Sequence, residues 1–225
     1  MLKPKRKTTK EEIKKDSFVE TVFNFRVLLK ENSQILIRIV SVVGALIVII
    51  ILFSRINENN KNEAELLLTK SSLYRDNGDS QNAKIYLQEL VDEYGSTESG
   101  RIGGYNLAQI YITEQRFDDA LPLLEKYSSK GNNLFLIASS NLSLSSIYSK
   151  KGELAKAIKF QEKAVKTAHS NNSRAENMVK LAYLHLKNGN IDQTNNIIND
   201  LKKDFSENIR ISQKIDELFG QIMSQ

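Results

Sequence analysis

The chain has 225 residues, no cysteine, two histidines and a net charge of +5. The missing cysteines exclude disulfides, thiolate metal sites, thiol nucleophiles and a lipidated amino-terminal cysteine, and two histidines leave little for acid–base or metal chemistry. Ten of the 32 basic residues but only five of the 27 acidic ones fall within residues 1–38, leaving 22 of each in the rest, so the basic character belongs to a tail and not to a nucleic-acid-binding domain.

Residues 1–15, MLKPKRKTTKEEIKK, are too polar to bury a core and are expected to stay unfolded. The KPKRK run admits a nucleic-acid role, but a basic tail beside a membrane span accounts for it better. From Asp16 to Asn32, Phe18, Val22, Phe25 and Leu29 recur at helical spacing, flanked by Phe23 and Leu28. This predicts an amphipathic helix lying on a membrane surface or against a partner. Residues 1–34 thus form one segment, a basic tail followed by this helix.

Residues 35–53, ILIRIVSVVGALIVIIILF, carry one charge, Arg38. A helix rising about 1.5 Å per residue reaches across the roughly 30 Å hydrocarbon layer over this length. Arg38, near the start, can snorkel to the interface. The exit LFSRINENN lacks small residues at a cleavage spacing, so the segment reads as an uncleaved transmembrane helix rather than a signal peptide. The excess of Lys and Arg before it places the amino terminus in the cytoplasm and the residues beyond the span on the other side. Residues 54–63 form a polar linker able to continue as helix.

Beyond the linker the sequence repeats. Ala83, Ala120, Ala157 and Thr194 stand 37 residues apart, and other columns keep the same register. Small residues recur at Ser71, Ala108, Ser145 and Ala182, rings at Tyr74, Tyr111, Tyr148 and His185, and turn positions at Gly78, Gln115, Gly152 and Gly189. A fourth column holds Leu87, Leu124, Gln161 and Ile198. The predicted fold is all-α: residues 64–207 form a solenoid of four helical repeats, about 64–94, 101–127, 138–168 and 175–205. Pro122 is expected in the first turn of its helix, where a missing amide hydrogen costs little. Residues 208–225 place Ile211, Ile215, Leu218 and Ile222 on one face, as a capping helix requires.

At these columns the chain resembles the tetratricopeptide repeat family, whose unit is a helix, a turn and a helix. It departs from that family in its period, 37 rather than about 34, and in carrying Gly95, Asn132, His169 and Ser206 where a proline usually ends the second helix. The resemblance implies that the first helices line a binding face through positions two, five, nine and twelve of each unit. The protein-binding groove is then expected at Leu68, at Ile102, Tyr105, Gln109 and Ile112, at Leu142 and Ser146, and at Val179, Tyr183 and Leu186. Glu65, Ser72, Arg75, Ser139, Ser149 and Glu176 occupy the remaining groove columns. The lysine and asparagine set with which some family members clamp a peptide carboxylate is missing. Such a groove suits an extended or helical apolar segment, although the capping helix or the amino-terminal linker could fill it instead.

No residue set suggests catalysis, a cofactor, a metal or a small-molecule substrate. His185 sits in the ring column and His169 at a helix end. Asp118 and Asp119 open a helix, where acids complement the dipole. Gly103 and Gly104 lack the preceding strand and following lysine of a phosphate loop.

The order of basic tail, amphipathic helix (DSFVETVFNFRVLLKEN), anchor and charged helix entering repeats resembles the ancillary SecYEG translocon subunit family of bacterial inner membranes. That likeness implies a non-enzymatic, single-pass protein of the inner (cell) membrane with a cytoplasmic amino terminus and a periplasmic repeat domain. Its partners would be translocon subunits, chaperones or secretory chains, with no nucleic acid involved. A scaffold for envelope assembly or cell division with the same fold is the alternative.

Overall fold

Apolar and small residues recur at helical rather than alternating spacing, and every described element is accordingly an α-helix. The computed structural model describes Thr21, Phe23–Phe25 and residues 33–224, which fall into two units, Met1–Glu58 and Asn59–Gln225.

In the first unit Thr21 and Phe23–Phe25 are helical; the rest of the expected amphipathic helix, and the basic tail, lie outside the described residues. Helix α1 (Ser33–Asp76) then begins. Its side chains from Val42 to Phe53 are exposed, so these branched residues bury nothing within the chain. The helix is long and apolar enough to cross a membrane. Residues 54–63, the expected linker, continue α1 without a break.

The second unit contains the end of α1 followed by α2 (Ser80–Tyr94), α3 (Glu98–Thr113), α4 (Phe117–Lys130), α5 (Leu134–Lys150), α6 (Leu154–Lys166), α7 (Asn171–Lys187), α8 (Ile191–Phe205) and α9 (Ile209–Met223). From α2 onward each helix packs on its neighbours in sequence, and α9 packs on both α7 and α8. The end of α1 meets α2 through Ala64, Leu67 and Leu90. The result is a helical repeat solenoid of four pairs with α9 laid on the last.

The periodic columns explain this arrangement. Ala83, Ala120, Ala157 and Thr194 are wholly buried where second helices cross first ones, and Ser71, Ala108, Ser145 and Ala182 face them from the first helices. Small side chains at both positions let the backbones approach closely. Each pair closes through the same turn. Gly78, Gln115, Gly152 and Gly189 all have positive φ, from 59° to 79°. The amide of the next residue reaches back to the carbonyl of the ring column, as in Asp79 to Tyr74 and Arg116 to Tyr111, which is the bond pattern of a Schellman cap.

Gln115 (φ 59°) is the lone side-chain-bearing member of that column among the described residues. A left-handed L-residue carries a steric cost of about 1–2 kcal/mol that glycine avoids, partly offset by glycine's freer unfolded chain. Gln115→Gly is therefore expected to raise stability by about 1 kcal/mol, read as a higher urea midpoint by far-ultraviolet circular dichroism.

Connections between repeats end in side-chain caps. Thr97, Asn133, Ser170 and Asn208 accept from amides in the first turns of α3, α5, α7 and α9. Pro122 is sixth in α4 and not in its first turn. Its ring removes the donor to the Asp118 carbonyl, at a position exposed to solvent.

Candidate protein-binding groove

Six serines in the seventeen residues of α5 (LFLIASSNLSLSSIYSK) set the shape of the site. Ser145, Ser146 and Ser149 place small hydroxyl side chains opposite the larger residues of α7, and a cavity of about 590 Å³ lies between the two first helices. Leu142 from α5 and Tyr183, Leu184 and Leu186 from α7 give it an apolar wall. Gln161 of α6, Gln221 of α9 and three lysines, Lys150, Lys180 and Lys187, complete the lining. A smaller hollow of about 220 Å³ shares Leu142, Ser146 and Lys150 with it and reaches Ile112 and Phe117.

The ten residues expected in the groove separate into several environments. Leu142, Ser146, Tyr183 and Leu186 meet in the large cavity, and Ile112 joins the smaller hollow. Tyr105 is engaged elsewhere: its hydroxyl is 2.7 Å from the Ser139 Oγ, and its ring lies 5.8 Å from that of Tyr127. Gln109 is half-buried, and its Nε2 has no hydrogen-bond partner. Ile102 is half-buried outside both hollows, and Leu68 packs on the Ala64, Leu67 and Leu90 cluster.

Val179, only 2% exposed, is buried with Ile211, Ile215 and Leu218 of α9, and Leu186 belongs to the same cluster. The groove columns assume an open face after the fourth unit. Here α9 stands where a fifth first helix would; it covers Val179 and reaches the α5–α7 cavity through Gln221. Lys214 donates to the Glu176 carboxylate, Arg210 lies 3.3 Å from it, and the Tyr183 hydroxyl donates to Glu217 at 3.2 Å. Lys214 holds the Glu176 carboxyl below its usual range, against the opposing effect of burial.

Polar ties hold neighbouring helices together within and between repeats. Glu98 accepts from Arg101 at 2.8 Å, from the Tyr127 hydroxyl at 3.0 Å and from the Asn132 amide at 3.2 Å. Burial alone would raise its pKa, but these three donors together lower it. Burial, then the bonds to Glu98 and Glu125, pushes Tyr127 and Tyr148 up to about 12, so both phenols remain donors across the physiological range. Behind the cavity Gln161 donates to the Asn177 carbonyl at 3.0 Å, and Asn177 donates to the Ala164 carbonyl at 3.2 Å. Sequence reading missed these ties and the three cavity lysines. The one available signal was Gln161, a polar residue in a column otherwise filled by leucine and isoleucine.

His185 occupies the ring column, buried, with Nδ1 3.4 Å from the Asn190 side chain. Burial lowers its pKa, partly opposed by Glu162. The unfolded chain, with the ordinary value of about 6.5, therefore takes up a proton more readily than the folded one. Stability from this group is complete above that value and declines as pH falls below it. His185→Phe is expected to flatten the fall in urea midpoint between about pH 7.5 and 5.5, a window above the carboxylate range.

Known proteins point the same way as the geometry. No curated protein matches the chain. Among solved structures it is similar to a tetratricopeptide repeat protein from Parabacteroides merdae, with a TM-score of 0.55 and 17% identity. That likeness, one of fold, covers 71% of this chain and 61% of the other. The tetratricopeptide repeat-like domain matches residues 53–181. Because that match takes in more than half of the sequence, and the helix pairs, turns and buried small-residue columns lie where the repeat requires them, the chain belongs to the tetratricopeptide repeat-like domain family.

Proposed function

We propose that the protein is a single-pass membrane protein whose repeats hold an apolar segment of a partner protein. The observation that carries this reading is the cavity between α5 and α7, with Leu142, Tyr183 and Leu186 forming an apolar wall and serine hydroxyls available to a peptide backbone. Repeats of this fold serve as protein–protein interaction scaffolds rather than catalysts. Helix α1 supplies the anchor. The basic excess in residues 1–38 supports a cytoplasmic amino terminus, with the repeats on the opposite side, the periplasm of a bacterial cell. The likeness in the order of parts to ancillary SecYEG translocon subunits supports a role in secretion, with translocon subunits, chaperones or secretory chains as partners.

Two measurements test this. The chain has no cysteine, so Ser129→Cys provides a single label on exposed α4. An impermeant maleimide is expected to modify it from the outer side; modification only from the cytoplasmic side overturns the orientation. Photo-crosslinking from Tyr183 and Tyr105 in native membranes, with captured proteins identified by mass spectrometry, is expected to yield secretion components and to favour Tyr183. Capture of outer-membrane assembly or division proteins moves the reading to an envelope scaffold. Crosslinks only to α9, which Tyr183 already touches, remove the cavity from the account.

A further inference from the structure

We infer that the segment held between α5 and α7 is acidic as well as apolar, bearing carboxylates beside the side chains that meet Leu142 and Leu186. This rests on the proposed groove and specifies its partner. Lys150, Lys180 and Lys187 all line the cavity, and no carboxylate does among the described residues.

Part of the domain's cations are ion-paired, and the three cavity lysines are not among them. Lys84, Arg101, Arg116, Lys151, Lys156 and Lys214 all have a carboxylate within ion-pair distance. Lys150, Lys180 and Lys187 have no ion pair in the described structure; the Lys150 ammonium lies 5.2 Å from the centre of the Phe117 ring, a contact that leaves its charge without an anion. Residues 39–225 hold equal numbers of acids and bases, so three lysines around one cavity are a local concentration of positive charge; Glu176 acts on Lys180 but is already engaged by Lys214 and Arg210. Lys150 and Lys187 sit in the last turns of α5 and α7, where a cation also complements the helix dipole. Lys180 lies inside α7, one turn after Glu176, whose carboxyl it helps to keep ionised, and it still lines the cavity. A low-dielectric cleft lined by one sign of charge focuses its field on an entering ligand. Hydroxyls of Ser145, Ser146 and Ser149 add donors to the same wall, so a carboxylate gains ammonium and hydroxyl partners while apolar side chains meet Leu142, Tyr183 and Leu186.

The test uses the full chain in nanodiscs of neutral phosphatidylcholine. Three fluorescently labelled peptides of equal length and leucine content are compared by anisotropy, with their other positions glutamate, glutamine or lysine, each read against empty nanodiscs. The leucine–glutamate peptide is expected to bind at least tenfold tighter than the leucine–glutamine one, and more weakly as salt rises. The combined Lys150→Glu, Lys180→Glu and Lys187→Glu variant is expected to lose that preference and to take the leucine–lysine peptide instead. Lys180→Gln alone, a neutral change on an exposed side chain, should lower affinity for the acidic peptide several-fold. Equal binding of the glutamate and glutamine peptides, unchanged in both variants, overturns the acidic partner and leaves the apolar groove standing. Failure of all three peptides to bind overturns the groove reading together with it.

Discussion

Replacing Gly100 by alanine is expected to lower the stability of the repeat domain by about 3 kcal/mol, at the upper end of overpacking effects. Gly100 lies in the first turn of α3, at the corner where the chain leaves α2. Thr97 fixes that corner: its hydroxyl donates to the Tyr94 carbonyl at 2.8 Å and accepts from the Gly100 amide at 2.9 Å. A Cβ on Gly100 falls on the same Tyr94 carbonyl oxygen and 2.9 Å from the Gly95 Cα. Those neighbours are backbone atoms held by the cap, so no side-chain rotation relieves the overlap. The corner must open, and with it the packing of α2 on α3. Urea unfolding of the full chain in mild detergent, followed by circular dichroism, should show a large fall in midpoint for Gly100→Ala. At exposed Gly220, inside α9, a Cβ meets nothing within 4 Å, so alanine there should raise the midpoint slightly, by up to about 1 kcal/mol of stability.

Asn177→Ala is expected to cost about 2–3 kcal/mol, and Gln161→Leu less than about 1 kcal/mol, although the two side chains act as neighbours. The difference lies in what each change leaves behind. Asn177 satisfies the Ala164 carbonyl in the last turn of α6; the residue that would serve it in a longer helix, Ala168, directs its amide to Val165. Truncating Asn177 strands a buried acceptor and opens a hole between α6 and α7. Gln161 donates to the Asn177 carbonyl, which lies inside α7 and retains its own helical donor. A leucine at 161 restores the side chain carried by Leu87 and Leu124 in the equivalent repeats. Midpoints for both single variants, taken with the double variant, separate the stranded carbonyl from the lost volume.

The repeat was legible because its signals are local and recur. Ala83 and its equivalents had to be small wherever two helices cross. The turn column had to tolerate positive φ, and even Gln115, the member without the glycine signal, adopts it. The site was less legible. Leu142, Ser146, Tyr183 and Leu186 came from the first-helix column rule, yet the cavity they line depends on volume that α5 lacks opposite α7. Val179 followed the same column rule and is buried, because the rule does not register a helix added after the fourth unit. Glu98 reads as an acid in a first turn; its role as acceptor for Tyr127 and Asn132 depends on residues about 30 positions away. Lys150, Lys180 and Lys187 carry no signal in the sequence; α5 and α7 set them around one space. Pro122 was misplaced within α4 because that helix begins at Phe117 without a side-chain cap: Arg116 makes no cap bond.

The central claim, that a partner segment enters the α5–α7 cavity, is tested most directly by blocking that cavity. Because the chain has no cysteine, Ser146→Cys introduces one thiol in the cavity wall, and Ser129→Cys one on exposed α4 as a control. Each variant is alkylated with a bulky maleimide, and retention of the partner identified by crosslinking is measured by co-purification. Modification at position 146 is expected to reduce retention at least tenfold and modification at 129 to leave it unchanged. Equal retention after both would contradict the account and move the working surface away from these two helices.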